Sequence, residues 1–135
     1  CLKYYNKGVT IIITSLLFSV MHVFNSGFDW ISCCNIFLAG VFIGTYYVYH
    51  KNLWCPIVMH LAWNYVQGPI LGFPVSGMAT PQLITQQLHG PELWTGGVFG
   101  FEGSILSIII LSLASVAVYF HFRQRKEQLL SPIPV

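Results

Sequence analysis

The sequence predicts an all-α fold, a polytopic bundle of membrane-crossing helices, and three observations carry that prediction. Of the 135 residues, 55% are hydrophobic and only 7% are Asp, Glu, Lys or Arg, against roughly 25% charged in an ordinary soluble domain. Residues 8–28, 30–50 and 103–122 carry no formal charge, and each approaches the ~20 apolar residues that cross a bilayer core of about 30 Å as a helix. The basic residues gather at the ends of these stretches. A free soluble globule is excluded, and a net charge of +2 on scattered basic residues excludes a nucleic-acid surface. A signal-peptide reading of the first stretch fails, because no small-residue cleavage site follows it and three more apolar segments do.

Four transmembrane helices are expected in a single membrane-embedded domain over residues 1–135. The first covers about 9–24, with Lys3 and Lys7 before it and the turn-forming run Asn25-Ser26-Gly27-Phe28-Asp29 after it. The second, about 32–49, has Gly40 and Gly44 at small-xxx-small spacing, which lets a neighbouring helix approach closely where packing replaces the hydrophobic drive. After the His50-Lys51-Asn52 connection the third covers about 53–71. Pro56 falls in its first turn, where a missing N–H costs little, and Pro69 with Gly68 and Gly72 should bend or end it. Residues 73–103, with Pro74, Pro81 and Pro91, read as a long loop holding a short helix at 81–88 with Thr80 as its N-cap. The fourth covers about 104–122 and is followed by Arg123-Gln124-Arg125-Lys126 and a Pro-containing tail.

With four crossings, Lys3, Lys7, Lys51, Arg123, Arg125 and Lys126 fall on one side and Asp29, Glu92 and Glu102 on the other. The positive-inside rule then puts both ends of the segment in the cytoplasm. Beginning at Cys1 without an initiator Met, the chain reads as a fragment or a processed product. Cys1, Cys33, Cys34 and Cys55 match no zinc or CxxC spacing, and Cys33, Cys34 and Cys55 read as small apolar side chains.

Polar residues inside the spans are the functional candidates. Ser15, Ser19 and His22 follow i, i+4, i+7 on the first helix, and His60, Asn64 and Gln67 repeat that spacing on the third. Ionisable groups within spans are costly and face the bundle interior or a wet cavity, so the two stripes predict a shared polar pocket. The plainer alternative is that they hydrogen-bond neighbouring helices as packing contacts. His50 and His121 lie at the expected interfaces and His89 in the loop, which suits solvent or headgroup contact. No nucleophile signature accompanies the histidines, and no Gly-x-Ser-x-Gly elbow occurs. Hydrolysis would therefore need an activated water and a carboxylate or metal. The spans contain no Asp or Glu; the nearest, Glu102, suits the N-terminus of the fourth helix, where the dipole favours a carboxylate.

Phe18-Ser19-Val20-Met21-His22 fits FxxxH and His60-Leu61-Ala62-Trp63-Asn64 fits HxxxN, each inside an apolar helix. These resemble the second and third motifs of the CPBP family, the CAAX protease and bacteriocin-processing (Abi) intramembrane proteases. The run from Asn52 to His60 resembles the small-Leu-Trp-x-Pro-Ile-x-x-His stretch of bacterial members, and Gly96 to Ser104 resembles their Gly-Gly-x-x-Gly-x-Glu-Gly-Ser stretch. The family's first motif, Glu-Glu-x-x-x-Arg, is absent from these residues. The resemblance implies the C-terminal half of a roughly eight-helix CAAX-protease-like fold, completed by upstream helices of the same protein. It implies that the missing Glu, helped by His22, activates a water that attacks a peptide carbonyl, while His60 and Asn64 stabilise the oxyanion. Phe18 and Gln67 would contact substrate. No cofactor is implied; a zinc bound by His22 and His60 is the lesser alternative, since no third ligand is visible.

The expected partners are a peptide or protein substrate and the lipid bilayer, in a multi-pass protein of a bacterial cell membrane. A non-catalytic immunity or peptide-binding protein on the same scaffold is the alternative. A transporter built from inverted repeats is disfavoured, because no broken helices recur between the halves. The basic residues place His22 toward the outer half of the bilayer and His60 nearer its middle.

Overall fold

The computed structural model describes residues 6–130, with side chains to residue 125. Cys1, Lys3, the Lys126 side chain and the Pro-containing tail lie outside the described residues. Five α-helices follow in order: α1 (Lys7–Val20), α2 (Trp30–His50), α3 (Trp54–Tyr65), which runs into a π-helical turn (Val66–Ile70), α4 (Glu92–Thr95) and α5 (Ile105–Leu130). Among the described residues there is no strand, only an isolated bridge between Val75 and Met78.

Local chemistry sets the helix ends. Asn6 Oδ1 accepts from the Val9 N–H at 2.9 Å and caps α1. The regular helix ends at Val20 rather than near 24. His22 N–H donates to Ser19 C=O and Val23 N–H to Val20 C=O, the tightened i→i−3 pattern that closes many helix ends. Asp29 and Ser32 form a reciprocal capping box at the start of α2: Ser32 N–H donates to Asp29 Oδ1 at 2.8 Å and Asp29 N–H to Ser32 Oγ at 2.6 Å. α2 ends where Lys51 turns left-handed at φ 52°.

α2 is the central helix. α1 packs on it antiparallel: Ser19 Oγ donates to Cys33 C=O at 3.2 Å, and Lys7 Nζ lies 4.1 Å over the Tyr49 ring. Between them, a Cβ on Gly40 would sit 2.8 Å from Ser15 Cα. The small-residue seam expected from Gly40 and Gly44 is thus the α1–α2 contact, and only a glycine lets the backbones come that close. α5 runs parallel to α2, with Asn35 Nδ2 donating to Ser104 C=O at 2.9 Å near one end and Phe122 stacked on Tyr49 at 4.6 Å near the other. Lys7, Lys51 and Arg123 therefore gather at one end of the bundle, and Asp29 and Glu102 at the other.

The buried apolar core is small, consisting of Ile36, Val48, Val75, Phe99 and Phe122, while Leu16, Leu17, Leu61, Ile110 and Leu113 are exposed. Apolar exposure on this scale is the surface of a helix bundle that meets lipid or further helices. α2 and residues Ile105–Arg125 of α5 are long and apolar enough to cross a membrane. α1, with 14 residues, and α3, with 12, each reach roughly 18–21 Å as regular helix, about two-thirds of the hydrocarbon core.

The loop departs from expectation. Residues 81–88 form no helix, and Thr80 is not an N-cap; its side chain rests against Gly68. Instead Leu83 N–H donates to Pro69 C=O at 2.8 Å and Gln86 Nε2 to Leu71 C=O at 2.6 Å. An isolated eight-residue helix is marginal, and carbonyls left free at the end of α3 offer this segment better partners. The short helix of the loop is α4, followed by two 3₁₀ turns at Gly97–Phe99 and Phe101–Gly103.

Candidate active site

The two motifs meet. Phe18, in the last turn of α1, lies between the two imidazoles: its ring centroid is 4.7 Å from that of His22, and 5.4 Å from that of His60 in an edge-on contact. His22 sits just past the end of α1, and its Nδ1 lies 2.7 Å from Phe18 C=O. A carbonyl only accepts, so Nδ1 carries the proton and Nε2 presents a lone pair. On α3, Asn64 Nδ2 lies 3.3 Å from His60 Nε2, one helical turn away. Phe18, His22, His60 and Asn64 are all half-buried, so the cluster is open on one side. Asn64 Oδ1 is buried without a partner among the described residues.

The expected stripes do not continue beyond this cluster. Ser15 and Ser19 are buried at the α2 seam, Ser15 Oγ donating to Ile11 C=O at 2.7 Å, so the polar face of α1 is largely packing and only His22 joins the site. Gln67 finds its hydrogen-bond partner in the loop. Pro69 has no N–H to continue the ladder, and the chain widens into the π turn, with Leu71 N–H donating to Val66 C=O. Gln67, at the start of that turn, is buried; its Nε2 donates to Pro74 C=O at 2.7 Å, and it lines an apolar cleft with Trp63, Leu71, Phe73 and Phe101.

Sequence reasoning missed the group that joins these parts. Glu102 is only 6% exposed and does not cap α5; Ser104 does, its Oγ accepting from Ser107 N–H at 3.2 Å. Glu102 Oε1 accepts from Trp63 Nε1–H at 2.7 Å, and Oε2 from Ser76 N–H at 2.8 Å and Ser76 Oγ–H at 2.6 Å. Its backbone carbonyl accepts from Asn35 Nδ2 at 2.6 Å. Asn35, fully buried in the second turn of an apolar helix, was the available signal, because a polar group there marks a contact that matters. Zinc sites need three or four protein ligands, and among the described residues no three His, Cys, Asp or Glu side chains gather. The two imidazoles alone do not make up such a set, and Glu102 spends both oxygens on Trp63 and Ser76.

No curated protein and no solved structure matches the chain. Residues 1–66, which contain Phe18, His22, His60 and Asn64, match the family model described as type II CAAX prenyl endopeptidase Rce1-like. The match covers residues 1–66 of the 135, and over that stretch the chain is similar to the Rce1-like type II CAAX prenyl endopeptidases.

Proposed function

We propose that this chain contributes His22, His60 and Asn64 to the catalytic centre of an intramembrane endopeptidase of the CAAX-prenyl-protease type, which hydrolyses a peptide bond with an activated water. The observation that carries the reading is the Phe18 ring wedged between the imidazoles of His22 and His60. It brings two motifs, 38 residues apart by 60 − 22, to one open cluster on two helices.

The roles follow from the donor and acceptor pattern. His22, with Nδ1 spent on Phe18 C=O, offers Nε2 to hold or accept a proton from the attacking water. The principal base is a glutamate on residues outside these 135, the role the family's Glu-Glu-x-x-x-Arg motif supplies. His60 and Asn64 stabilise the oxyanion. Asn64 Nδ2 lies 3.3 Å from His60 Nε2; with that nitrogen accepting, His60 carries its proton on Nδ1 as a donor and Asn64 keeps a second amide N–H. The reaction needs no cofactor in this scheme. The substrate is a peptide or protein segment held at the bilayer of a multi-pass bacterial membrane protein, with Phe18 as the wall beside the reacting bond.

Cleavage of membrane-anchored peptides by the full-length protein in bilayers tests this, with His22→Ala and His60→Ala as partners. Both variants should insert normally and lose cleavage. Retained cleavage in both would sink the proposal, and retained peptide binding with no cleavage by the unsubstituted protein would leave a non-catalytic immunity or binding protein.

A further inference from the structure

We propose that Glu102 is a positioning residue of this centre, acting through Trp63 to hold His60 and Asn64 of α3 against Phe18 and His22 of α1; the inference rests on the proteolytic reading above. The need for such a device is visible in the packing. α1 and α3 share almost no direct contact beyond Phe18 on His60, so neither helix fixes the other, and their relative placement must come through third parties.

α2 packs against both helices, and Glu102 adds side-chain ties between α3, α2 and the turn at Ser76. Its side chain takes the Trp63 indole N–H, and Trp63 lies on α3 three residues after His60 and one before Asn64. An indole tied at its nitrogen fixes the rotation of α3 about its axis, and that rotation decides which way the His60 and Asn64 side chains point. The Glu102 backbone carbonyl is tied to Asn35 of α2, the helix on which α1 rests through Ser15 and Gly40. The other carboxylate oxygen holds Ser76 through two hydrogen bonds.

Ser76 and Gly77 both have positive φ, 47° and 80°, at the centre of the tight turn closed by Val75 and Met78. A non-glycine residue adopts φ > 0 only when held there, and the Glu102 carboxylate is what holds Ser76. At Gly77 the turn lies directly on the Ser26 carbonyl, so closely that a Cβ would collide with it. Ser26 belongs to the turn that follows His22. One buried carboxylate therefore links the helix bearing His60 and Asn64 to the chain segment just after His22. Both of its oxygens face only donors, so glutamine would set an NH₂ against the indole N–H or the Ser76 N–H.

Glu102→Gln, Trp63→Phe and the double variant, assayed for cleavage in the full-length protein, test the inference. A misplacement of about 1 Å at a catalytic group costs on the order of 10²-fold, so kcat per folded molecule should fall at least about 10-fold in each single variant. KM should stay within about twofold, and the double variant should be no slower than the slower single, because both substitutions break one link. Wild-type kcat in the folded single variants, or losses that multiply in the double, would overturn it while leaving the protease reading in place. Should Glu102→Gln fail to fold, Trp63→Phe alone carries the test, since it leaves Glu102 both Ser76 donors; wild-type kcat there overturns the inference. If the unsubstituted protein does not cleave, the functional reading fails and this inference with it.

Discussion

The two histidines are held in place in opposite ways. His22 lies past the last regular turn of α1 and is oriented by the carbonyl of the residue four before it, a bond that needs nothing beyond its own stretch of chain. His60 lies within α3, pairs with Asn64 one turn on, and faces Phe18 from a helix that packs on α2 and is tied from outside through Trp63, Glu102 and Asn35. A catalytic group on a regular helix is aimed by whatever fixes that helix, whereas one on a turn is aimed locally. The first should be sensitive to distant substitutions and the second to near ones.

The largest effect expected is at the imidazoles themselves. His22→Ala and His60→Ala should each lower kcat roughly 10²–10⁴-fold, the usual contribution of a positioned acid–base group, in single-turnover cleavage by inserted protein. Next comes Asn64→Ala, expected to cost about 10²-fold with KM little changed, as for an oxyanion donor; a rise in KM with kcat intact would move Asn64 from the transition state to plain substrate binding.

Substitutions in the scaffold should divide the two histidines. Gly40→Val puts side-chain atoms where Ser15 Cα already lies at 2.8 Å from a Cβ, and overpacking of this kind costs about 1–3 kcal/mol. Thermal unfolding in detergent should shift down accordingly, with the His22–Phe18 bond preserved because it is local. Phe18→Leu keeps an apolar side chain, somewhat smaller, but removes the ring contacts to both imidazoles; an aromatic pair contributes about 0.5–1.5 kcal/mol, so kcat should fall up to roughly 10-fold. The smallest effect on chemistry belongs to Gln67→Ala. It should lower stability by about 1 kcal/mol through the lost hydrogen bond to Pro74 and leave kcat within twofold; a large loss of kcat would return Gln67 to the site.

Much of this was legible in the residues. Uncharged runs gave the helical bundle and nearly the bounds of α2, the glycine spacing gave the α1–α2 seam, and the FxxxH and HxxxN patterns gave the cluster. Spacing says less where local events intervene. The end of α3 closes in a π turn at Pro69, and Gln67 there is tied to Pro74, although the proline and its flanking glycines were visible. Ser15 and Ser19 have the spacing of a polar pocket and the size of a packing seam, and only the neighbour, Gly40, decides between them. Thr80 before Pro81 resembles a helix start, yet the carbonyls of Pro69 and Leu71 claimed that segment. Glu102 was in view and assigned to a helix dipole, because nothing local in a sequence tells that an indole, a hydroxyl and an amide from three other places converge on one residue.

The central claim is that residues on two separately supported helices act as one proteolytic centre, and a double-mutant cycle on cleavage by the full-length protein tests it most directly. Residues that act as a unit are grossly non-additive. The account predicts that His22→Ala combined with His60→Ala is no slower than the slower single variant. Losses that multiply in full would mean that each imidazole acts without the other rather than in one centre, and cleavage undiminished in both singles would contradict the account altogether.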